Sequence, residues 1–233
     1  MSLDATINKA SVLIEALPYL QSFRGHTFLI KMGGSAMEDP NLVRKVMRDI
    51  VFLEVAGINP VIVHGGGKAI SAAMKEAGLD AKFIGGFRVT TPEAIEIVEQ
   101  TLSHTINPGL VEMISEFGGK AHGIPGTDVF VGRRIQATDD DGQQVDIGRV
   151  GEAVSCQLGL ALQHIHAETV PVISPLAAEE ETGKPLNVNA DLAAACLAKA
   201  LKATKLVYLS DVPGILSDPA DQSTLIPSIN RSE

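Results

Sequence analysis

The chain has 233 residues, 45% hydrophobic and 20% charged, with 22 glycines, no tryptophan and a formal charge of −9. Its length and apolar content suffice for a large core in one or two domains. The negative charge argues against nucleic acid or an anionic membrane as main partner, so a bound phosphate must be held by local N–H groups and a few cations. The two cysteines, Cys156 and Cys196, are far apart in sequence and in no metal-ligand spacing, which reads as reduced thiols in a cytoplasmic protein. No apolar run approaches membrane-spanning length and no signal peptide is visible.

In chain order, residues 4–17 carry apolar side chains at helical spacing (Ile7, Ala10, Val12, Leu13, Leu17), and Pro18 is expected to close that helix. It precedes the alternating pattern and is expected outside the main sheet, either as an oligomer contact or packed on its own subunit. Strand 27–32, helix 40–56, strand 60–63 and helix 67–77 follow, and this βαβ rhythm predicts parallel strands with right-handed crossovers. Phe83-Ile84-Gly85-Gly86-Phe87-Arg88-Val89-Thr90 reads as a glycine-interrupted hairpin or flap. Thr91, Pro92 and Glu93 then supply a cap, a first-turn proline and a dipole-facing acid for a long helix, which Asn107-Pro108-Gly109 is expected to bend or divide.

Residues 120–126 read as a strand ending in a turn. Residues 129–137 and 145–150 read as a hairpin around Asp139-Asp140-Asp141-Gly142, a solvated turn in preference to a calcium loop, whose later ligands are absent. Helix 154–166 and strand 170–174 resume the rhythm. Asn187-Val188-Asn189-Ala190-Asp191 opens an alanine-rich helix to Leu201, and strand 205–209 ends in Ser210-Asp211-Val212-Pro213-Gly214. Residues 218–233 form no finished element, so the chain reads as stopping mid-architecture.

Two glycine clusters carry the chemistry. In Lys31-Met32-Gly33-Gly34-Ser35 a lysine at the end of a buried strand meets a turn whose backbone can approach a phosphate, although an ordinary turn with a solvated lysine has the same letters. His64-Gly65-Gly66-Gly67-Lys68 places three glycines at a helix start, which makes an anion nest, with His64 ordering the turn. Neither cluster matches a Walker A loop or a dinucleotide fingerprint. Arg88 is either a two-point clamp for a carboxylate or a surface arginine on an edge hairpin. Asn187, Asn189 and Asp191 exceed what one helix cap requires. All these residues fall at the carboxyl ends of predicted strands, where open sheets bind ligands. With no nucleophile elbow and no metal cage, this pattern fits phosphoryl transfer by positioning and electrostatics, the metal arriving on the nucleotide.

The segments IKMGGSAM (30–37), VIVHGGGKAIS (61–71), GGFRVTTPEAIEIV (85–98), LNVNADLAAACLAKALKA (186–203) and KLVYLSDVPGIL (205–216) together resemble the amino acid kinase family, in order from about residue 10 to residue 225. The resemblance implies a three-layer αβα sandwich with an open, mainly parallel sheet. It implies an N-terminal helix and connector over 1–25, an acyl-acceptor lobe over 26–180 and a nucleotide lobe over 181–233, the last incomplete because members continue beyond it with a second phosphate-facing lysine. The expected reaction moves the ATP γ-phosphate, with Mg2+ on the nucleotide, to the side-chain carboxylate of N-acetyl-L-glutamate in arginine biosynthesis.

The same resemblance assigns Lys31 to transition-state charge, Asp191 to orienting the catalytic lysines, and Gly33 and Gly34 to the phosphoryl group. Gly66, Gly67, Arg88 and Asn187 would hold the acceptor, and Asp211, Val212, Pro213, Gly214, Ile215 and Leu216 the nucleotide. Members with a similar N-terminal segment form hexamers, as trimers of dimers, and are inhibited by arginine. Pro125 stands where the family often has serine, which removes an expected donor. Same-fold kinases for aspartate, glutamate, carbamate or UMP, and a non-catalytic amino-acid-binding regulatory module, are the alternatives.

Overall fold

The computed structural model describes residues 3–210, 212–218 and 220–230. Helix α1 (Leu3–Phe23) leads to strand β1 (Thr27–Met32), helix α2 (Pro40–Val55), strand β2 (Asn59–His64) and helix α3 (Gly67–Glu76). The hairpin β3 (Phe83–Ile84) and β4 (Phe87–Arg88) precedes helix α4 (Pro92–Thr101), a π-helical turn over Leu102–Ile106, and helix α5 (Asn107–Glu116). Strands β5 (Ala121–Ile124), β6 (Phe130–Thr138) and β7 (Gln144–Cys156) are followed by helix α6 (Gly159–His166) and strand β8 (Val170–Ile173). Strands β9 (Leu176–Glu179) and β10 (Pro185–Val188), helix α7 (Ala190–Leu201) and strand β11 (Lys205–Leu209) complete the order.

A five-stranded sheet runs β11-β1-β2-β8-β5, with every pairing parallel. Side chains alternate across it. Ile30, Met32, Ile62 and Val172 pack with Val43, Met47 and Ile50 of α2 and Leu110 and Ile114 of α5. Leu29, Val61, Val63 and Ile173 face the other way, against Ala193, Ala194 and Leu197 of α7 and Ile165 of α6. Burial on both faces is why β1 and β2 read as unbroken apolar runs. It also fixes Lys31, two residues after Leu29, on the α7 side. The helices begin where local chemistry dictates: Asp39 accepts from the Asn41 N–H at 2.8 Å before Pro40, and Thr91 from the Ala94 N–H at 3.2 Å before Pro92.

Beside the sheet, β10, β7, β6 and β9 close into a four-stranded ring. Phe130, Ala177, Leu186 and Val188 of the ring join the α7-side core. The ring has little interior: a Cβ on Gly151 would stand 2.7 Å from Leu186 Cδ1, and one on Gly132 2.7 Å from Ala177 Cβ.

Four expectations change. Pro18 does not close α1, which continues to Phe23. The carbonyl that loses its partner belongs to Ile14, which is 68% exposed, so water can satisfy it. The long helix divides at Leu102–Ile106, before Asn107, whose N–H donates to the Leu102 carbonyl in a widened turn. Residues 154–156 are strand and not helix, because Val131 pairs with Ser155 and Phe130 with Cys156 to complete the ring. Finally, β9 and β10 are additional strands, and Asn187 and Val188 belong to β10, so α7 opens only at Ala190.

Helix α1 projects most of its apolar side chains outward. Ile7, Val12, Leu13, Ile14, Leu17 and Tyr19 are all exposed. Its end is anchored by Phe23, edge-on to Phe28 at 5.2 Å and under the Lys205 ammonium at 5.5 Å.

Candidate functional site

The carboxyl ends of β1 and β2 lie side by side, and the two glycine turns that follow them are joined: the Gly65 N–H donates to the Met32 carbonyl at 2.6 Å. Around them is a cleft of about 280 Å³ lined by Lys31, Gly33, Gly34, Gly66, Gly67, Arg88, Asn187, Asn189 and Asp191, among others. A larger, more apolar cavity of about 630 Å³ adjoins it across Gly66, Gly67 and Arg88, with Met37, Val43, Ile106, Leu110 and Met113 in its wall. Lys31, Arg88, Asn187, Asn189 and Asp191, all singled out by the sequence, meet in the smaller space.

Lys31 reaches Asp191 at 2.8 Å. The lysine side chain is 12% exposed and the aspartate 52%, so the pair opens on its acidic side. A Cβ on Gly33 would stand 2.3 Å from Lys31 Nζ, so glycine gives the ammonium room to curl over the turn. The Gly33 N–H itself points at the Leu209 carbonyl, at 3.3 Å, so here Gly33 offers clearance and not a donor. Gly34, with φ +56, turns the chain away from it.

Asp191 is held from behind. Asn189 caps α7 by accepting from the Asp191 and Leu192 N–H groups at 2.8 and 3.1 Å. The Tyr208 hydroxyl, one strand away, donates to the Asp191 carbonyl at 3.1 Å. Burial and then the Asp191 charge push the Tyr208 hydroxyl pKa up, so it stays a donor. Helix α3 begins at Gly67, and its leading N–H groups have no intrahelical acceptor. Two helix starts, Lys31 and Arg88 therefore make a locally positive cleft in a chain of net charge −9.

Arg88 is only 8% exposed. Its Nη2 donates to the Gly67 carbonyl at 2.7 Å and the Ser71 hydroxyl at 2.8 Å, and the guanidinium lies 4.7 Å over the Phe83 ring. Burial lowers its pKa. Arg88 is thus a buried side chain and not a surface arginine. Asn187 donates to the Thr90 hydroxyl at 3.1 Å.

His64 is fully buried, and that burial lowers its pKa to about 4 against the opposing bond to Gly65. A neutral ring with hydrogen on Nδ1 fits both neighbours: Nδ1 donates to the Gly65 carbonyl at 2.9 Å and Nε2 lies 3.4 Å from the donor Asn107 Nδ2. His64 thus orders the glycine turn. Ser71, Tyr208, Asn107 and Thr90 are the supporting residues that sequence reasoning missed. They act across elements, with no local pattern to mark them.

Val212, Pro213, Gly214, Ile215 and Leu216 follow β11 and do not line this cleft. Val212 and Ile215 are exposed, and Leu216 bridges to Leu225. Asp211 lies outside the described residues. Pro125 precedes a short turn whose Gly126 N–H donates to the Ser174 hydroxyl at 2.9 Å. In the acidic hairpin turn, Asp139 accepts from the Asp141 and Gln143 N–H groups, so it is committed to the backbone. Among the described residues no helix is long and apolar enough to cross a membrane.

The model of the amino acid kinase family matches residues 26–233. The chain belongs to the amino acid kinase family. A curated relative from Akkermansia muciniphila, named acetylglutamate kinase, is 63% identical over 227 residues, which span 97% of this chain and 76% of the relative. A relative of the same name from Thermoanaerobacter pseudethanolicus is 47% identical over 220 residues, 94% of this chain and 72% of its own length. Among solved structures, the protein smu.665 from Streptococcus mutans UA159 has a TM-score of 0.69 at 28% identity, covering 82% of this chain and 75% of its own. N-acetylglutamate synthase from Neisseria gonorrhoeae, solved with coenzyme A and N-acetyl-glutamate, shares the fold at a TM-score of 0.74 and 24% identity, over 93% of this chain and 47% of that one. The three-layer αβα arrangement expected from the sequence is thus the fold observed, with the four-stranded ring as an addition.

Proposed function

We propose that this chain is an acetylglutamate kinase, transferring the γ-phosphoryl group of ATP to the side-chain carboxylate of N-acetyl-L-glutamate in arginine biosynthesis. The convergence of Lys31, the two glycine turns, Arg88 and Asn187 on one cleft carries the reading, and the names of the 63% and 47% identical relatives agree with it. The acceptor γ-carboxylate, with an ordinary pKa of about 4.3, is already ionised at neutral pH, so no general base is needed. The carboxylate oxygen forms its bond to phosphorus as the bond to the ADP oxygen breaks. The barrier is the approach of one anion to another.

In this reading Lys31 neutralises charge on the phosphoryl oxygens and Asp191 holds the ammonium in place. The turn at Gly33 and Gly34 lets the phosphate approach. The N–H groups at Gly66 and Gly67 receive the γ-carboxylate, while Arg88 and Asn187 receive the α-carboxylate end. For Arg88 this means exchanging the Gly67 carbonyl and Ser71 for a charged partner, which is the stronger bond. Asp211, Val212, Pro213, Gly214, Ile215 and Leu216 contact the nucleotide.

No cluster of three or more metal-ligating side chains occurs among the described residues. In this reading Mg2+ arrives on the nucleotide phosphates, and Asp191 is a carboxylate in the cleft lining. Bound there, Mg2+ supplies charge neutralisation on the phosphates. We assign the acceptor to a lobe over residues 26–180 and the nucleotide to 181–233. The outward apolar face of α1 supports a homo-oligomer; a hexamer built as a trimer of dimers, arginine as an inhibitor and a cytoplasmic location are proposed from the family resemblance alone.

Hydroxylamine trapping tests the reaction. Acyl phosphate, read as hydroxamate, is expected from N-acetylglutamate and ATP. A hydroxamate from aspartate or glutamate alone, or ATP consumption with carbamate or UMP alone, replaces the acceptor. Absence of nucleotide binding by calorimetry favours the regulatory module.

A further inference from the structure

Arg88 and Asn187 reach the cleft from different parts of the fold, the first from the β3–β4 flap and the second from the ring. Thr90 stands between them and is fully buried. Its hydroxyl donates to the Arg88 carbonyl at 2.9 Å and accepts from Asn187 Nδ2 at 3.1 Å. Its main chain is fastened to β7: its N–H donates to the Ile147 carbonyl at 3.0 Å, and its carbonyl accepts from the Arg149 N–H at 2.6 Å. Opposite it, Gly148 has φ +78, and a Cβ there would stand 2.3 Å from the Thr90 oxygen. Only glycine lets the base of the flap seat this closely.

We propose that Thr90 is a positioning residue that joins Arg88 and Asn187 into one recognition unit for a carboxylate-bearing acceptor. The inference rests on the acceptor-binding reading of those two side chains. A single hydroxyl has both of its bonding roles filled, one by the flap backbone and one by the Asn187 amide. The Asn187 carboxamide oxygen is thereby aimed away from Thr90, and the Arg88 backbone is pinned at the residue whose guanidinium faces the cleft. The side chain itself does not line the cleft, so its effect on an acceptor passes through its two neighbours. ATP has no share in this linkage.

Thr90→Val keeps the shape and removes the hydroxyl, leaving the half-buried Asn187 donor without its acceptor. In steady-state kinetics on the full natural chain, Thr90→Val is expected to raise KM for N-acetylglutamate about tenfold, with KM for ATP unchanged. Thr90→Ser restores the wild-type value. Should the valine chain not fold, Thr90→Ala takes its place in the comparison. An unchanged acceptor KM, a parallel rise in both KM values, or failure of serine to rescue overturns the proposal.

A second measurement reads the linkage without substrate. Hydrogen exchange of the Asn187 side-chain amide, followed by NMR, is expected to quicken in Thr90→Val and return to the wild-type rate in Thr90→Ser. If wild-type protein makes no acyl phosphate from N-acetylglutamate, the functional reading fails, and the amide measurement still decides the linkage. Equal exchange in wild type and the valine variant overturns it.

Discussion

Lys31–Asp191 in the cleft and Arg149–Glu179 in the ring are both ion pairs between distant segments, and both measure 2.8 Å. Their surroundings differ. Glu179 Oε1 accepts from Arg134 Nε at 2.6 Å, while its Oε2 accepts from Arg149 and from the Thr182 hydroxyl. Arg149 spends its remaining donors, Nε and Nη2, on the Pro185 carbonyl at 3.0 and 2.7 Å. The ring pair is saturated and buried. The Lys31 ammonium carries three donors, and its partner is half exposed to the cleft. A saturated pair holds the fold, whereas a pair with capacity left, aimed into a cleft, is available to a ligand.

The sharpest way to break that contrast is to remove each member. Lys31→Ala should lower kcat by a hundredfold or more, on the order of 3 kcal/mol, with little change in acceptor KM. Thermal unfolding should barely move, because a pair open to solvent contributes only about 0–1 kcal/mol. Initial-rate kinetics and a melting curve on the same preparation check both halves. Unchanged turnover with intact protein would remove Lys31 from the chemistry.

Glu179→Ala should do the reverse. It strands the Arg149 guanidinium, 7% exposed, and costs about 3 kcal/mol of stability. Turnover per folded molecule should stay near wild type. Urea unfolding with activity measured in the native baseline distinguishes the two. A large loss of kcat at native stability would mean that the ring network reaches the cleft chemistry and that the contrast is false.

How far the sequence reveals these two regions follows from the same physics. Strand β1 is legible to the residue, because burial on both faces leaves an apolar run with clear ends; β11, an edge strand with Val207 and Tyr208 exposed, is legible from its run of β-forming side chains alone. Lys31 and the glycine turns are legible because a charge and unhindered backbone interrupt such a run. The ring is not. Leu176-Ala177-Ala178-Glu179 is short and alanine-rich, with weak strand propensity, and becomes a strand only through pairing with β6 and β10. Ser71, Thr90 and Tyr208 escape for a related reason: each matters through a partner brought near by the fold.

Acid separates the two regions by pH window. Burial holds the His64 pKa at about 4 against an ordinary 6.5. The unfolded chain therefore binds this proton first, and stability falls as pH drops from about 6.5 to about 4. Glu179 is held at about 2, first by the Thr182 hydroxyl and then by Arg149 and Arg134, with burial opposing. Its contribution is intact above about 4.5 and is lost between about 4.5 and 2. Urea midpoints measured against pH should show both slopes. His64→Gln should flatten the upper window and Glu179→Gln the lower one. A single slope unaffected by either substitution would remove both assignments.

The smallest expected effect lies where the two regions meet. The chain leaves β10 of the ring, passes Asn189 and enters α7, whose first turn carries Asp191 into the cleft. Asn189 also lines that cleft, so it is either scaffold or ligand contact. As a cap, Asn189→Ala should cost about 1 kcal/mol, lowering Tm by about 2–4 °C, with a modest fall in kcat as Asp191 loosens beneath Lys31. Asn189→Asp keeps an acceptor for the same two N–H groups and should recover the stability. If the alanine variant instead keeps its Tm and loses acceptor affinity, Asn189 belongs to the ligand set. The boundary between saturated scaffold and available cleft then moves one residue back, from Asp191 into the connection from the ring.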